Sequence, residues 1–343
     1  MRILGIESSC DDTAAAVVDD GRMLVSSERL SSAMVQRRFG GVVPEVAARE
    51  HTMSVLPVVE QALAAAGTDP SELDAVAVTR GPGLLGALLI GVTFAKAVAQ
   101  AWDVPVVGVH HLEAHLYANA LTAPIQFPAL GLIVSGGHTS LIRWEGHGQL
   151  RILGATRDDA AGEALDKGAR LLGLPYPGGP EIERLALTAP AEARWRLPVA
   201  RLGPETLDFS FSGLKTATEE LSRRAPQDKA SIARALEEAV VEALVKNLAR
   251  AYARFPVGHV YLAGGVTANR RLQDAVREWG EHAGAAVHHP PVWLCTDNAA
   301  MVAAAGYYRY QRGCTMGQNE GPRTPWSLNE VGQEAGWHVD GLR

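Results

Sequence analysis

The sequence predicts a duplicated α/β protein. One grammar of strands and turns occurs twice along the chain, and glycine recurs where strand gives way to helix. A content of 47% hydrophobic and 20% charged residues is that of an ordinary folded protein. At 343 residues the chain exceeds what one core usually fills, so two domains are expected. The expected boundaries are 1–110, with the final helix after 297 as an element that could pack back on this first domain, and 111–314, followed by a C-terminal tail at 315–343.

In the first copy, Arg2 to Ile6 is a short apolar strand that runs into ESSCDDT. Ala14 to Val18 is a second strand, and the tight turn DDGR leads to a third near Met23 to Ser27. Ala33 to Glu50 is a loop leading into a helix, locally basic at Arg37 and Arg38. Asp74 to Val78 then ends in TRGPG before a helix from Leu84 to Ala101, and Pro105 to Val109 is the next strand. The second copy repeats this order. Ala129 to Val134, the loop SGGHTS, Leu141 to Trp144, the turn EGHG and Gln149 to Leu153 match the first three strands. His259 to Leu262 ends in AGGVTANRRL before a helix, and Ala285 to His288 closes the copy. Helical insertions are expected at Ala160 to Leu172, Glu181 to Leu187 and Asp228 to Arg254. The residues from Thr315 onward are polar, hold two prolines and read as an appended tail without chemistry of its own.

Composition narrows the function classes. A net charge of −6 provides no global basic field, so contact with nucleic acid requires local patches. Cys10, Cys295 and Cys314 are odd in number and widely spaced, which argues against a disulfide framework and for a reducing, cytoplasmic setting. The start MRILGIESSCDD reaches acid at Glu7 and does not read as a signal peptide. The most apolar run, Leu84 to Ala95, is about 12 residues long against the roughly 20 of a membrane span, so no membrane partner is expected.

The stretch VHHLEAHL carries the sharpest chemical signal. On a helix, His111 and His115 project about 40° apart and can share one metal ion, or they cap and pack the helix without one. Glu113 falls roughly 200° away, unlike the glutamate of HExxH, which reaches a zinc-bound water. CTDNAAM places Asp297 before a small-residue helix, as an N-cap or a third ligand. His111, His115 and Asp297 form an N,N,O set suited to iron or zinc with positions left open. By the repeat, the histidines follow the last strand of one copy and Asp297 that of the other, which predicts a metal clamp between domains.

Other segments suit a nucleotide. Asp11 and Asp12 in ESSCDDT are carboxylates for proton transfer or for binding an ion or ligand. VSGGHTS joins bare backbone at two glycines to Ser135, His138 and Thr139, a cradle for phosphate or ribose. Asp166 lies in a helical run ahead of a Pro-Gly-Gly turn, and AGGVTANRRL, with Asn269, resembles the adenine-holding turn of two-domain ATPases.

Taken together, IESSCDD, GGVVPEVAAREH, TRGPGLLGALLIG, HHLEAHL, VSGGHT, LDKGARLLGLPYPGGP, DFSFSGLKTA, GGVTANRRL and CTDNAAM resemble the tRNA adenosine threonylcarbamoyltransferase family, to about Arg312. The resemblance implies a duplicated ribonuclease-H-like fold of the actin, Hsp70 and sugar-kinase type. It implies transfer of threonylcarbamoyl from threonylcarbamoyladenylate to the exocyclic amine of adenosine 37, in tRNAs reading codons that begin with A. It further implies that His111, His115 and Asp297 bind a divalent metal, commonly Fe(2+), with Zn(2+) as the other ion weighed. Val134, Ser135, Gly136, Gly137, His138, Asp166, Gly179 and Asn269 are implied to bind the adenylate. Glu183 stands where many relatives have a ribose-contacting aspartate, and Asp12 where the common pattern has glutamate. Asp11 is the candidate for proton removal. Expected partners are tRNA, an inactive paralogue of the same fold and a small P-loop ATPase, with Arg37, Arg38, Lys215, Arg223, Arg224, Arg270 and Arg271 as local positive charge for the tRNA. An ATPase or sugar kinase of this fold is the alternative reading, and a metallopeptidase is disfavoured by the position of Glu113.

Overall fold

The computed structural model describes the chain apart from Arg37, Phe39, Gly40, Ala191, Ala193, Arg201 and residues 336–343. The first sheet comprises β1 (Arg2–Glu7), β2 (Asp12–Asp19), β3 (Met23–Ser31), β4 (Ala75–Gly81) and β5 (Val106–His110), in the order β3-β2-β1-β4-β5. Helices α1 (Ala33–Gln36), α2 (Pro44–Ala66), α3 (Leu85–Trp102) and α4 (His111–Tyr117) belong to the same stretch of chain. The second sheet comprises β6 (Ala129–Val134), β7 (Thr139–Gly146), β8 (Gln149–Ala155), β9 (His259–Ala263) and β10 (Ala286–His288). Its order, β10-β9-β6-β7-β8, is that of the first sheet read from the other edge. The remaining helices are α5 (Ala161–Leu171), α6 (Gly178–Ala186), α7 (Ser212–Arg224), α8 (Lys229–Arg254), α9 (Arg270–Ala283), α10 (Val292–Cys295) and α11 (Ala299–Gln311).

Pairing is the same in both copies wherever it can be compared. β1 runs antiparallel to β2 and parallel to β4, as β6 does to β7 and β9. Parallel neighbours need a crossover between them, which the intervening helices provide. β1 is apolar without alternation because both of its faces are covered. Leu4 and Ile6 pack into a core with Val55, Val58 and Val59 of α2 and Val92 and Ala95 of α3. On the opposite face Gly5 meets α11.

The chain divides into two compact units at points other than 110 and 314. Unit 1 holds Met1–Ile125, Glu145–Arg151 and the residues from Thr296 onward; unit 2 holds Gln126–Trp144 and Ile152–Cys295. The cause is α11, whose small residues Ala299, Ala300, Ala303, Ala304 and Ala305 are fully buried. A Cβ on Gly5 would stand 2.3 Å from the Ala299 carbonyl oxygen, and one on Gly306 would stand 2.3 Å from the Ala77 Cβ. Helix and strands therefore approach at backbone distance. The tail also belongs to unit 1 rather than hanging from it. Trp326, Leu328 and Val331 are buried, and Met316 N–H donates to the Val106 carbonyl at 2.8 Å.

Unit 2 packs the buried residues Leu130, Leu132 and Val134 of β6 against α5, α8 and α9, through Leu165, Leu236, Leu244 and Val276. Because β1 and β4 leave no room beneath α11, Gly306→Val is expected to destabilise unit 1 by about 1–3 kcal/mol through overpacking. The check is a lower urea midpoint for the transition of unit 1, and an unchanged midpoint would refute it.

Candidate active site

The strand ends of sheet 1 build the site in unit 1. β5 runs directly into α4, so His111 opens the helix and His115 lies one turn on, both buried. Asp297 precedes the N-cap of α11, where Asn298 accepts from Met301 N–H at 2.9 Å. His111 Nε2 lies 3.6 Å and His115 Nε2 3.2 Å from Asp297 Oδ1. The rings meet edge to face at 4.6 Å. One ligand atom from each of the three residues falls within 4.8 Å of the others. The expected three thus come together, but inside one unit, since α11 returns to sheet 1 and carries Asp297 with it. The clamp between domains is corrected accordingly.

The donor set fits a divalent ion. His115 is fully buried, its Nδ1 makes no hydrogen bond among the described residues, and its Nε2 faces the Asp297 carboxylate at 3.2 Å, so the ring is set to share an ion with that carboxylate. Two imidazoles and one carboxylate leave coordination positions open, as in catalytic zinc and non-haem iron sites. Glu7, which in the sequence reads only as the first acid after a short apolar strand, orients His111. Its buried carboxylate accepts from Thr79 Oγ1 at 2.7 Å and from Ser9 N–H at 2.6 Å, and it lies 3.2 Å from His111 Nδ1. With Nδ1 engaged there, Nε2 is turned toward Asp297.

The electrostatics agree with this arrangement. Burial would push His111 down, but Asp297 and Glu7 outweigh it and hold the imidazole up at about 9. Burial likewise opposes ionisation of Asp297, yet His111 and His115 hold its carboxyl well below the usual range. Two carboxylates around two imidazoles make a pocket that favours positive charge.

Asp11 lies on the turn between β1 and β2 and Asp12 opens β2, both in unit 1. Burial pushes both carboxyls up, Asp12 to about 6, with Arg29 3.5 Å from its Oδ2. The turn is held by His51 of α2, which sequence reasoning did not single out. Its ring is fully buried between Thr13 Oγ1 at 2.7 Å and the Cys10 carbonyl at 3.0 Å. Burial and the neighbouring carboxylates push the Cys10 thiol far up, so it stays protonated and is no nucleophile. Glu113 is buried against Arg309 at 3.1 Å, which removes it from any role as a protease base.

The residues expected to bind a nucleotide lie in unit 2. After Val134 the chain turns tightly, with Ser135 N–H donating to the His138 carbonyl at 2.8 Å and His138 N–H donating to Ser135 Oγ at 3.1 Å. Gly136 and Gly137 at its tip are exposed, and a Cβ on either would meet nothing within 4 Å. Packing does not demand these glycines; they leave backbone bare. Asp166 Oδ1 accepts from Gly178 N–H at 2.6 Å, and amide hydrogen bonds from Gly178 and Gly179 oppose the upward push of burial on its carboxyl. It therefore fastens the first turn of α6, where Gly179 lies. Asn269 caps α9 by accepting from Leu272 N–H at 2.9 Å and donates to Glu237 at 2.7 Å. Glu183 accepts from Arg270 N–H at 2.8 Å, so Glu183 and the start of α9 are joined.

The expected basic residues are less available than the sequence suggests. Arg271 is held by both oxygens of Glu238, Arg223 pairs with Glu219, and Arg224 lies over the Trp195 ring at 5.6 Å. Arg38, Lys215 and Arg270 are exposed, and Arg37 lies outside the described residues.

Glu7→Gln is expected to weaken divalent-metal affinity by roughly 10–100-fold, as loss of an outer-sphere carboxylate does. Chelator competition measures it, and wild-type affinity in the variant would remove Glu7 from this role.

Comparison with known proteins gives the same direction. The family model described as TsaD, tRNA N6-adenosine threonylcarbamoyltransferase, matches residues 23–304. A relative of that name from Anaeromyxobacter sp. (strain Fw109-5) is 52% identical over 335 residues, spanning 96% of this chain and 100% of its own. One from Bacillus subtilis (strain 168) is 49% identical over 319 residues, spanning 91% and 92%. Among solved structures, T. kodakarensis HypF aligns with a TM-score of 0.62 at 17% identity, over 91% of this chain and 48% of that one. Component A of Acidaminococcus fermentans (R)-2-hydroxyglutaryl-CoA dehydratase aligns with a TM-score of 0.56 at 15% identity, over 91% and 99%. ROK hexokinase from Thermus thermophilus gives 0.50 at 18% identity, over 91% and 100%. These structural likenesses concern fold alone, the duplicated ribonuclease-H-like architecture of sugar kinases and their kin. With relatives this similar along nearly the whole chain, the protein belongs to the tRNA N6-adenosine threonylcarbamoyltransferase family and is a transferase.

Proposed function

We propose that the chain transfers the threonylcarbamoyl group of L-threonylcarbamoyladenylate to the exocyclic amine of adenosine 37, in tRNAs reading codons that begin with A, and releases AMP. The observation that carries this reading is the cluster of buried His111 and His115 with partly exposed Asp297, in a chain of this family. These three residues would hold one divalent ion, Fe(2+) by their N,N,O character, which supplies positive charge to an oxygen-rich ligand.

In the transfer, the lone pair of the adenine amine attacks the carbamoyl carbon and the bond from that carbon to the phosphate oxygen breaks. AMP leaves with the electron pair, and one amine proton is released. Asp11 takes that proton in this proposal, and its upward-pushed carboxyl is a better-matched base near neutral pH than an ordinary aspartate. Asp12, at the start of β2 and turned toward Arg29, serves as a second carboxylate beside Asp11. Because an adenine amine is a weak nucleophile, holding the reactants in place supplies much of the rate. That task falls to Val134, Ser135, Gly136, Gly137 and His138, with Asp166, Gly179, Glu183 and Asn269, as the adenylate-binding residues.

The partners proposed are tRNA, an inactive paralogue of the same fold and a small P-loop ATPase. The surface of α2 and α3 supports a protein partner: Met53 and Leu56, and Leu85 and Leu89, are exposed to 77%, 51%, 60% and 51%. Apolar exposure of this kind on adjoining helices marks an interface. α3 is also long and apolar enough to cross a membrane, but one side of it, including Leu88, Val92 and Ala95, is packed in the core of unit 1. A cytoplasmic setting accords with the unpaired cysteines.

The deciding experiment incubates the protein and its partners with preformed threonylcarbamoyladenylate and unmodified tRNA, followed by nucleoside analysis. Modified adenosine with AMP release is expected; ATP- or sugar-dependent turnover without it would favour the kinase reading. In the same assay Asp11→Asn is expected to lose at least about 100-fold in rate with metal retained, and full activity would remove its role as base. Leu89→Asp is expected to abolish co-purification with the paralogue without lowering thermal stability, and retained binding would place the partner elsewhere. Binding of tRNA should weaken steeply with salt and lose slope when Arg38, Lys215 and Arg270 are replaced.

A further inference from the structure

We propose that the C-terminal segment from Met316 to Trp326 is a strap that positions the metal centre, acting through His110. The inference rests on the reading of His111, His115 and Asp297 as metal ligands.

α4 is a single short helix of 7 residues, so the placement of both histidines depends on how its first turn is held. His110 holds it. Its ring is fully buried, and Nδ1 accepts from Leu112 N–H at 3.2 Å. Its other nitrogen, Nε2, lies 3.1 Å from the carbonyl oxygen of Trp326. Both bonds form together in one tautomer only, with the proton on Nε2 donated to the carbonyl and the lone pair of Nδ1 left for the helix. The tail carbonyl thereby selects the form of His110 that caps α4, and the next residue is a ligand.

The strap is itself fastened along the same strand ends. Arg323 N–H donates to the Arg80 carbonyl at 2.8 Å, Arg80 Nε donates to the Gly321 carbonyl at 2.8 Å, and Lys96 Nζ donates to the Gln318 and Glu320 carbonyls. A Cβ on Gly81 would stand 1.9 Å from the Arg323 carbonyl oxygen, so the segment lies directly on β4. The Trp326 ring stands 4.8 Å from that of His110 and beneath the Arg309 guanidinium at 5.7 Å. Arg309 in turn grips Glu113 of α4. Two threads therefore lead from one tail residue to the helix that carries the histidines.

The test titrates full-length protein with cobalt(II), following visible absorption and competition with a chelator, and anaerobic iron(II) for comparison. His110→Asn keeps an acceptor for Leu112 N–H but cannot reach the tail carbonyl; Trp326→Ala releases the strap. Each is expected to weaken cobalt affinity by about tenfold and alter the spectrum. The double variant should lose less than the two single losses combined, because the variants share the thread through His110 while the thread through Arg309 is touched by Trp326→Ala alone. His115→Ala serves as the reference for the ligand set: wild-type binding in that variant would overturn the metal reading itself. Loss in His115→Ala with wild-type affinity and spectrum in His110→Asn and Trp326→Ala would overturn the strap alone. If Trp326→Ala does not fold, Trp326→Phe carries the same expectation with a smaller shift.

Discussion

The backbone-close packing of α11 on β1 and β4 is the constraint on which unit 1 depends. It closes the second face of sheet 1, and it needs glycine at positions 5 and 306 on the two sides of the contact. The same helix delivers three other groups. Asp297 arrives ahead of its first turn, Arg309 reaches Glu113 near its last, and the chain leaving it continues into the tail. A displaced helix would disturb core, ligand set and tail together.

Around the histidines the physical problem is charge. Burial opposes every ionised group there, yet Glu7, His111 and Asp297 hold their charged forms because each lies against an opposite one. Breaking any one of these contacts would leave another buried charge without compensation. Outer contacts from Ser9 and Thr79 to Glu7 belong to the same network, so strand ends that look merely structural set the direction in which His111 Nε2 points. Unit 2 follows a different principle. Asp166 and Asn269 each fasten a helix start, while Gly136 and Gly137 leave backbone bare, so rigid caps stand beside an open loop.

Much of this was legible in the sequence. The strands of both copies came from short apolar runs bounded by turn residues, and the repeat gave the duplication that the shared strand order of the two sheets bears out. α8 was expected from Asp228 and begins at Lys229, because long amphipathic periodicity is a strong local signal. Spacing allowed His111 and His115 to share an ion, and the repeat and the family resemblance joined Asp297 to them. Their membership of one unit was left open, because it depends on whether the helix after 297 packs back on the first domain, a contact far apart in sequence that periodicity does not encode. Glu7 was hidden for a related reason: a carboxylate at a strand end reads as the start of a loop until the burial around it is known. The tail misled by composition, since its polar residues and prolines conceal the few positions, Trp326, Leu328 and Val331, that anchor it.

The return of α11 to the first sheet has a consequence for how the protein is made. A ribosome releases β1 to β5 early, but the helix that covers the other face of their sheet comes only after all of unit 2. Until Gln311 has emerged, that apolar face has no cover from its own chain, and the histidines lack their carboxylate partner Asp297. Unit 2 has its whole sequence available first. A product truncated before Thr296 would therefore keep the paired histidines but lack the carboxylate that faces them.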